Sequence, residues 1–178
     1  MTIVQSLWIG DELSELEIAS INSFIQCGHT FHLYVYQKVK NIPKKTIIKD
    51  GNVIIPKKEI FTLKNTFLPF ADIFRYKMLF LKGNYWVDLD MICLKKLDFE
   101  EPYVFSSERT IQKGAYRNRH HKYIPNIGIL KSPKNSDLFK EAYDLCMKHH
   151  KTKTNEDKLK YMKIFRQLIS KHKLDKYV

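Results

Sequence analysis

The chain has 178 residues, of which 44% are apolar and 28% are charged. These proportions exclude an intrinsically disordered chain, and the length predicts one globular domain. The formal net charge of +12 favours anionic partners such as nucleotides, phospholipids or nucleic acid without choosing among them, and a lysine-rich surface also serves solubility alone.

The sequence contains no apolar run near the roughly 20 residues that a membrane span needs, because charges interrupt every such stretch. The N-terminus lacks the basic head of a signal peptide, and we therefore expect a cytoplasmic protein. Cys27, Cys93 and Cys146 share no close spacing. They are interpreted as reduced thiols and not as a disulfide framework or a zinc site.

In the first half of the chain, apolar patterns predict strands and helices in alternation. The predicted strands cover residues 3–9, 31–36, 46–48 and 85–89, and the predicted helices cover residues 13–27 and 70–81. Gly28 and the pair Gly83-Asn84 follow the two helices as stop signals. This alternation predicts an α/β domain with a mostly parallel sheet, whose ligands bind beyond the C-terminal ends of the strands.

The second half begins with shorter strands and finishes with two helices. Strands are predicted at 103–106 and 127–130 on either side of a basic loop at 109–123, and helices at 136–149 and 156–173. One stripe of the last helix is apolar, with Leu159, Met162, Phe165 and Ile169, and its opposite face is rich in lysine. Docking of this stripe on its own domain is favoured over binding of the helix to an anionic membrane.

Two aspartates, Asp88 and Asp90, follow the apolar segment 85–87. In an extended chain, residues i and i+2 point the same way, so both carboxylates can converge on one divalent cation. Mg²⁺ or Mn²⁺ prefers oxygen ligands and neutralises charge on a departing phosphate, and a nucleotide diphosphate would complete the coordination shell. Taken alone, the pattern is more often a solvated strand end.

Three further residues are candidates for ligand binding. Asp72 and Arg75 share a face of the second predicted helix, where a carboxylate can hold sugar hydroxyls and a guanidinium can bind phosphate or orient that carboxylate. The alternative is a surface ion pair of little energetic consequence. Trp8, at the end of the first strand, can stack on a base or belong to the core.

Three segments in this order resemble the sugar-transferase family that carries an Asp-x-Asp motif. This family, glycosyltransferase family 32, includes yeast mannosyltransferases and bacterial capsule enzymes, and it is distantly similar to the clostridial glucosylating toxins. The resemblance covers roughly residues 1–100. The segments are Leu7-Trp8-Ile9-Gly10, Ala71-Asp72-Ile73-Phe74-Arg75-Tyr76 and Gly83-Asn84-Tyr85-Trp86-Val87-Asp88-Leu89-Asp90.

The resemblance implies a GT-A fold, a nucleotide-sugar donor and Mn²⁺ or Mg²⁺ between the donor diphosphate and the aspartates Asp88 and Asp90. Trp8 would stack on the base, and a uridine nucleotide is favoured. Asp72 and Arg75 would contact the sugar and the ribose. The resemblance assigns catalysis to Asp72, Arg75, Asp88 and Asn126, and donor binding to Leu7, Trp8, Ile9, Asp72, Arg75, Tyr76, Asp88, Leu89 and Asp90.

The resemblance also implies retention of anomeric configuration, in which the leaving phosphate accepts the proton and no separate protein base is needed. Asn126, before the predicted strand at 127–130, falls where related enzymes often place an amide near the transferred sugar; an ordinary turn residue after Pro125 is the alternative. Relatives have Gly-Gly at Gly83-Asn84, and asparagine tolerates the same left-handed turn. Residues 101–178 are left as the acceptor and lid region, with Tyr177 and the basic loop as candidates for the lid.

Other functions remain open at this point. Asp88 and Asp90 could hold the cations of a nuclease or nucleotidyltransferase, although that hypothesis leaves Trp8 unexplained. A transferase-like domain that binds a nucleotide sugar without turnover is a second alternative. A metal site at His120-His121, or at Cys146 with His149-His150, is disfavoured. We expect a nucleotide-sugar donor, a glycan or other hydroxyl acceptor, peripheral contact with an anionic membrane at most, and no specific nucleic acid.

Overall fold

The computed structural model describes residues 2–110, 123–152 and 160–178. Its strands and helices alternate through the first half of the chain, as the hydrophobic patterns predict. The strands are β1 (Ile3–Leu7), β2 (Thr30–Val35), β3 (Ile47–Asp50), β4 (Asn84–Val87), β5 (Val104–Thr110) and β6 (Tyr123–Ser132). The helices are α1 (Glu15–Gln26), α2 (Leu68–Lys82), α3 (Asp137–Lys151) and α4 (Lys160–Lys171).

All six strands form one sheet in the order β3-β2-β1-β4-β6-β5. The pairs β3–β2, β2–β1 and β1–β4 are parallel, whereas β6 runs antiparallel to both of its neighbours. Strands β2 and β3 therefore lie on one side of β1, and β4 lies on its other side. This confirms the predicted single α/β domain with a mostly parallel sheet between helices.

The helices begin and end where local chemistry dictates. Ser14 caps α1, with its hydroxyl oxygen accepting from the backbone of Leu16 and Glu17 bonding back to the Ser14 backbone. Helix α2 begins at Leu68, slightly before the predicted start, because proline is tolerated in the first turn at Pro69. Gly83 and Asn84 follow α2 with φ of 65° and 66°. The expectation that asparagine sustains this left-handed turn is confirmed.

The sheet is covered on both faces because successive side chains of a strand point to opposite sides. On β4, Tyr85 and Val87 pack with Phe24 of α1, whereas Trp86 packs on the other face with Phe74 of α2. Helices α2, α3 and α4 all contribute to the second cluster. Each face therefore has its own hydrophobic core, and the strand ends between them remain at the edge of the sheet.

Two predicted elements differ from the structure in ways that matter for the site. Strand β4 ends at Val87, so Asp88 and Asp90 lie in a turn, in which the Met91 amide donates to the Asp88 carbonyl at 3.2 Å. The expectation that both aspartates share an extended segment is wrong. The short strand predicted at 127–130 spans 123–132, so Asn126 lies within β6 and is not a turn residue.

The C-terminal helix docks on its own domain, as favoured. Phe165 and Ile169 are fully buried. The predicted stripe residue Leu159 and the side chain of Met162 lie outside the described part of the chain, as does most of the predicted basic loop, of which residues 109–110 and 123 belong to β5 and β6. No helix within 2–110, 123–152 and 160–178 is both long and apolar enough to cross a membrane.

Candidate functional site

The candidate site lies at the sheet edge where β1 and β4 end side by side. The two strands are parallel, and Gln5 is paired with Trp86, so the residues after each strand leave the sheet at the same edge. The strand order switches at this point, because β2 and β3 are added on one side of β1 whereas β4 and β6 are added on the other. Open α/β sheets bind ligands at such a switch point.

Asp88 is held in one orientation by two side chains. Its Oδ1 accepts hydrogen bonds from Arg75 Nη2 at 2.7 Å and from Trp86 Nε1 at 2.8 Å. Its backbone amide donates to the Gly128 carbonyl at 2.8 Å. With Oδ1 engaged in this way, Oδ2 is the oxygen left for a ligand, and 31% of the Asp88 side chain is exposed.

Arg75 is part of a buried network and does not form a surface ion pair. The residue is 4% exposed, and its Nη1 donates to the Ile127 carbonyl at 2.9 Å and lies 3.5 Å from Asp72 Oδ1. Its guanidinium carbon lies 4.9 Å from the centre of the Trp86 ring, a cation–π distance. Through Nη1 and Nη2 the guanidinium binds protein groups, and the carboxylate that it holds at hydrogen-bond distance is Asp88. The sequence had left open that Arg75 binds a phosphate or orients Asp72, which lies 3.5 Å away.

The two carboxylates beside Arg75 have raised proton affinities. Burial raises the pKa of Asp72 to about 6, although the Arg75 charge opposes the shift and the Asp88 charge adds to it. Burial also raises the pKa of Asp88, against the Arg75 charge and the Trp86 hydrogen bond, with the Asp90 charge adding to the rise. Carboxylates with perturbed pKa values at a sheet edge are typical of functional sites.

Asp90 completes the acidic end of the turn. Its side chain is exposed, and its charge is close enough to contribute to the raised pKa of Asp88. Leu89, between the two aspartates, is 8% exposed and packs in the core with Val4 and Phe24. Anchoring of Leu89 in this way leaves the flanking carboxylates at the surface of the turn.

The donor atoms at this turn suit a hard divalent cation, because they are carboxylate oxygens. Within the described residues, no group of three or more His, Cys, Asp and Glu side chains could hold a metal ion. Asp88 and Asp90 can therefore supply two ligands, and oxygens of a bound phosphate or of water would have to supply the rest. This incomplete protein shell fits an Mg²⁺ or Mn²⁺ ion that binds together with a nucleotide.

Asn126 is brought to Asp88 by the pairing of β6 with β4. Its Oδ1 accepts from the Gly128 amide at 2.6 Å, and its Nδ2 makes no hydrogen bond to the described residues. A Cβ atom built at Gly128 would lie 2.9 Å from Asn126 Oδ1 and 3.6 Å from Asp88 Oδ2. Gly128 thus permits the close approach of these two side chains and places Asn126 beside Asp88.

A cleft of about 230 Å³ lies at the end of β1, the strand that neighbours β4 in the sheet. Trp8 and Tyr36 contribute flat aromatic surfaces, and the Tyr36 hydroxyl is fixed by donating to the Ile55 carbonyl at 2.7 Å. The cleft is lined by Trp8, Ile9, Gly10, Tyr36, Gln37, Lys57, Ile60 and Phe67. Its apolar walls, with one amide and one ammonium group, suit a flat heterocycle attached to a polar group.

Trp8 is half-buried and lines this cleft, so it is not a core tryptophan. Its Nε1 is buried without a hydrogen-bond partner among the described residues. A Cβ atom at Gly10 would lie 2.9 Å from that nitrogen, so glycine is required for the chain to pass so close. An unpaired buried donor is uncommon and marks a place where a ligand can supply the acceptor.

The side chains of the other residues assigned to donor binding differ in their exposure. Ile9 lines the cleft, whereas the side chains of Leu7 and Tyr76 are buried in the core. Tyr76 stacks on Phe165 with ring centres 5.5 Å apart, and burial raises its pKa well above its usual value. A ligand at the sheet edge would therefore meet the backbone of Leu7 and Leu89, and not their side chains.

The disfavoured histidine and cysteine site finds no support in the described residues. Cys146 is fully buried, and burial raises the pKa of its thiol. The ring of His150 stacks on Phe61 with centres 3.6 Å apart. His120-His121 lie outside the described part of the chain.

Residues of the site that sequence reasoning missed include Trp86, Gly128, Tyr36 and Lys57. For Trp86 a signal existed, because it precedes Asp88 by two residues on a strand and could have been expected on the same side. Gly128 reaches the site because β6 pairs with β4. Tyr36 reaches it because β2, the strand before it, pairs with β1. No local pattern in the sequence reports such contacts.

Comparison with known proteins finds similarity in fold alone. No protein-family model matches the chain, and no curated protein matches it in sequence. A solved structure entitled "PaToxG Glycosyltransferase" superposes with a TM-score of 0.67 and 15% sequence identity, over 96% of this chain and 69% of that one. The chain therefore has a GT-A-like fold similar to that of a glycosyltransferase.

Proposed function

We propose that this chain is a glycosyltransferase that moves a hexose-type sugar from a nucleotide-sugar donor to a hydroxyl acceptor, with Mn²⁺ or Mg²⁺ as cofactor. The observation that carries the proposal is the fixed Asp88 carboxylate at the switch point, beside the cleft of Trp8 and Tyr36. A base-sized aromatic cleft next to a pair of carboxylates is the arrangement that a nucleoside diphosphate bound through a cation requires. The GT-A-like fold agrees with this function.

In the proposed complex, the donor base lies in the cleft and Trp8 contacts its face or edge. The Trp8 ring lines the cleft and can pack against a flat base. Lys57 at the cleft wall is available to an anionic or carbonyl oxygen. A uridine nucleotide is the favoured donor, because uracil carries two carbonyl acceptors on a small ring.

Asp88 and Asp90 would hold the cation, which supplies charge neutralisation for the departing diphosphate. Arg75 and Trp86 keep Asp88 Oδ1 engaged and direct Oδ2 outward, so the ligand oxygen is positioned before the donor binds. Asp72, 14% exposed beside Arg75, can accept hydrogen bonds from sugar hydroxyls. The Asn126 amide is available as a donor to the sugar or to the developing charge.

We infer retention of anomeric configuration, with the leaving phosphate accepting the acceptor's proton on the same face of the sugar. In such a reaction the protein must bind, orient and exclude water, and it needs no separate base. Asp72, Arg75, Asp88 and Asn126 can perform these tasks. A glycan or other hydroxyl compound is the expected acceptor, and the cytoplasm is the proposed location, with peripheral membrane contact at most.

The test is nucleotide release from a panel of UDP- and GDP-sugars with and without Mn²⁺. We expect release from one donor only when metal is present, and a fall of about a hundredfold or more in Asp90→Ala. Asp90 is exposed, so its removal leaves the core intact. The matched control is Asp144→Ala, which removes an exposed carboxylate on α3 that is paired with Lys140.

Calorimetric titration with UDP and GDP, with and without Mn²⁺, separates the possible failures. If UDP or GDP binds only with metal, but no nucleotide is released from any sugar donor in the presence of acceptor mixtures, the non-catalytic alternative is favoured. Absence of both binding and release would overturn the proposal. Tight, steeply salt-dependent binding of nucleic acid in that case would favour the nuclease alternative.

A further inference from the structure

Cys27 and Cys93 lie against each other outside the candidate site, where the C-terminal end of α1 meets the segment that follows the acidic turn. The Cys27 thiol donates to the Cys93 carbonyl at 3.5 Å, and the Cys93 thiol donates to the Lys95 carbonyl at 3.0 Å. Both cysteines are half-buried, so a small reagent can reach them. Their separation of 66 residues in the chain explains why spacing gave no sign of this pair.

One face of α1 holds this segment through three side chains. Ser20, Ser23 and Cys27 are three and four residues apart and therefore share a helix face. The Ser20 hydroxyl donates to the Met91 carbonyl at 2.7 Å, and the Ser23 hydroxyl accepts from the Cys93 amide at 2.8 Å. These contacts hold the backbone of residues 91–93 against α1, and the Cys27 sulfur lies 3.5 Å from the Cys93 carbonyl oxygen.

We propose that Cys27 and Cys93 are a modification site that low-molecular-weight disulfides such as oxidised glutathione convert into an intramolecular disulfide. One cysteine thiolate attacks the glutathione disulfide, forms a mixed disulfide and releases one glutathione thiolate. The other cysteine thiolate attacks the protein sulfur of that mixed disulfide and releases the second glutathione thiolate. Two protons pass to solvent, the protein loses two electrons, and glutathione disulfide gains them.

The order of the two attacks follows from the environment of each thiol. Burial, with the neighbouring Cys27 adding to its effect, raises the pKa of Cys93 to about 11, so Cys93 is seldom a thiolate in the reduced protein. Cys27 is therefore the first nucleophile. Once Cys27 carries glutathione, the Cys93 thiolate attacks the Cys27 sulfur and closes the disulfide. Cys146 takes no part because it is fully buried.

The disulfide would tie the segment that begins one residue after Asp90 to helix α1. It closes a loop of 66 residues and removes conformations from the unfolded chain, so it stabilises the fold. A gain typical of such a bond raises the melting temperature by about 5 to 10 °C in a chain of this size. The inference concerns these thiols alone and does not depend on sugar transfer.

The test is equilibration of the purified full chain in glutathione buffers of increasing oxidised fraction, followed by alkylation in denaturant and peptide mass spectrometry. We expect a peptide that joins Cys27 to Cys93, a fall from three alkylated cysteines to one, and a raised melting temperature. The equilibrium constant with glutathione should be about tenfold or more higher in the folded chain than in the same chain in urea. Phenylarsine oxide, which captures paired thiols, should protect both cysteines from alkylation.

Three variants control the assignment. Cys27→Ser and Cys93→Ser should form no internal disulfide, and Cys146→Ala should form the same one as the natural chain. Three alkylated cysteines at every glutathione ratio would overturn the proposal. So would a disulfide that involves Cys146, or one that joins two chains. These results are read on the unsubstituted chain and hold even if a variant fails to fold.

Discussion

At the scale of single residues, burial of the Arg75 charge costs free energy, and the role of this residue is to hold the Asp88 carboxylate. A buried guanidinium loses its hydration, and Asp88, Asp72, Trp86 and the Ile127 carbonyl offset part of that cost. Its buried Nε has no hydrogen-bond partner among the described residues. What the network contributes is one orientation of the Asp88 carboxylate. Removal of one partner therefore leaves an imperfectly compensated charge in the interior.

Asp88→Asn should lower the free energy of unfolding by about 1 to 3 kcal/mol, because Arg75 keeps only Asp72 as an ionic partner. Urea unfolding followed by circular dichroism measures the change. The control Asp144→Asn breaks the exposed pair with Lys140, 57% and 53% exposed, and should change the free energy by less than about 0.5 kcal/mol. Equal effects of the two substitutions would show that the Arg75 network is not buried in solution.

His29 gives the fold a dependence on pH. Its Nε2 accepts from the Leu97 amide at 3.0 Å, and burial, assisted by the Lys96 charge, lowers its pKa below 6.5. Well above pH 6.5 the histidine is neutral in both the folded and the unfolded chain, so its titration does not change the free energy of unfolding. As the pH falls below 6.5 the unfolded chain binds the proton first, so stability is lost until the lower folded pKa is reached.

His29→Gln keeps an acceptor for Leu97 but does not titrate. We expect the free energy of unfolding of the natural chain to fall more than that of the variant between about pH 7.5 and pH 5.5. Urea unfolding at several pH values measures the two slopes. Parallel curves would mean that His29 titrates alike in the folded and unfolded chain.

At the scale of elements, the junction of α2 and β4 sets the direction of β4, and therefore the position of the acidic turn that follows this strand. Gly83 ends the helix with φ of 65° and ψ of −155°, and Asn84 then begins the strand. The Gln5 amide donates to the Gly83 carbonyl at 2.8 Å and joins this junction to β1. A Cβ atom at Gly83 would lie 2.6 Å from the backbone nitrogen of Lys134, which cannot move aside easily.

Gly83→Ala should therefore destabilise the protein by about 2 to 4 kcal/mol, through backbone strain and a clash with fixed atoms. Gly28→Ala is the matched control, because Gly28 has φ of 83° but open space around its Cβ position. It should cost only about 1 kcal/mol, the strain without the clash. Thermal and urea unfolding distinguish the two, and similar losses would show that the backbone at Lys134 yields.

At the scale of the whole molecule, the two faces of the sheet are covered unequally. Helix α1 covers one face, whereas α2, α3 and α4 contribute to the cluster on the other. Phe165 of α4 stands at the centre of an aromatic group with Tyr76, Phe105 and Phe139, at ring distances of 5.5 to 5.7 Å. The C-terminal helix is thus part of the core that supports β4, β6 and the site at their ends.

Phe165→Ala should lower the free energy of unfolding by about 3 to 5 kcal/mol, because it leaves a cavity among rings that cannot collapse. Lys163→Ala, on the exposed side of the same helix, should change it by less than about 0.5 kcal/mol. Urea unfolding of both variants measures the difference. A small effect of Phe165→Ala would contradict the docking of α4 on the domain.

Much of the fold was predictable because hydrophobic periodicity reports local burial. The order of strands and helices follows from it, as do the stops at Gly28 and Gly83-Asn84. The acidic pair could also be located, although its backbone could not: Asp88 and Asp90 lie in a turn because the chain leaves the sheet at Val87. Strand ends depend on which neighbouring strands remain to be paired, and a local pattern does not contain that information.

By itself the sequence determined the α/β class and the presence of Asp88, Asp90, Asp72 and Trp8 near strand and helix ends, because these depend on residue type and spacing. Only the tertiary structure decided that Arg75 serves Asp88, and that Asn126 and Gly128 belong to the site. The partners Arg75 and Ile127 are 52 residues apart, and the extended β6 joins them by pairing with β4. Contacts across such distances arise from the packing of whole elements, which residue type and local spacing do not specify.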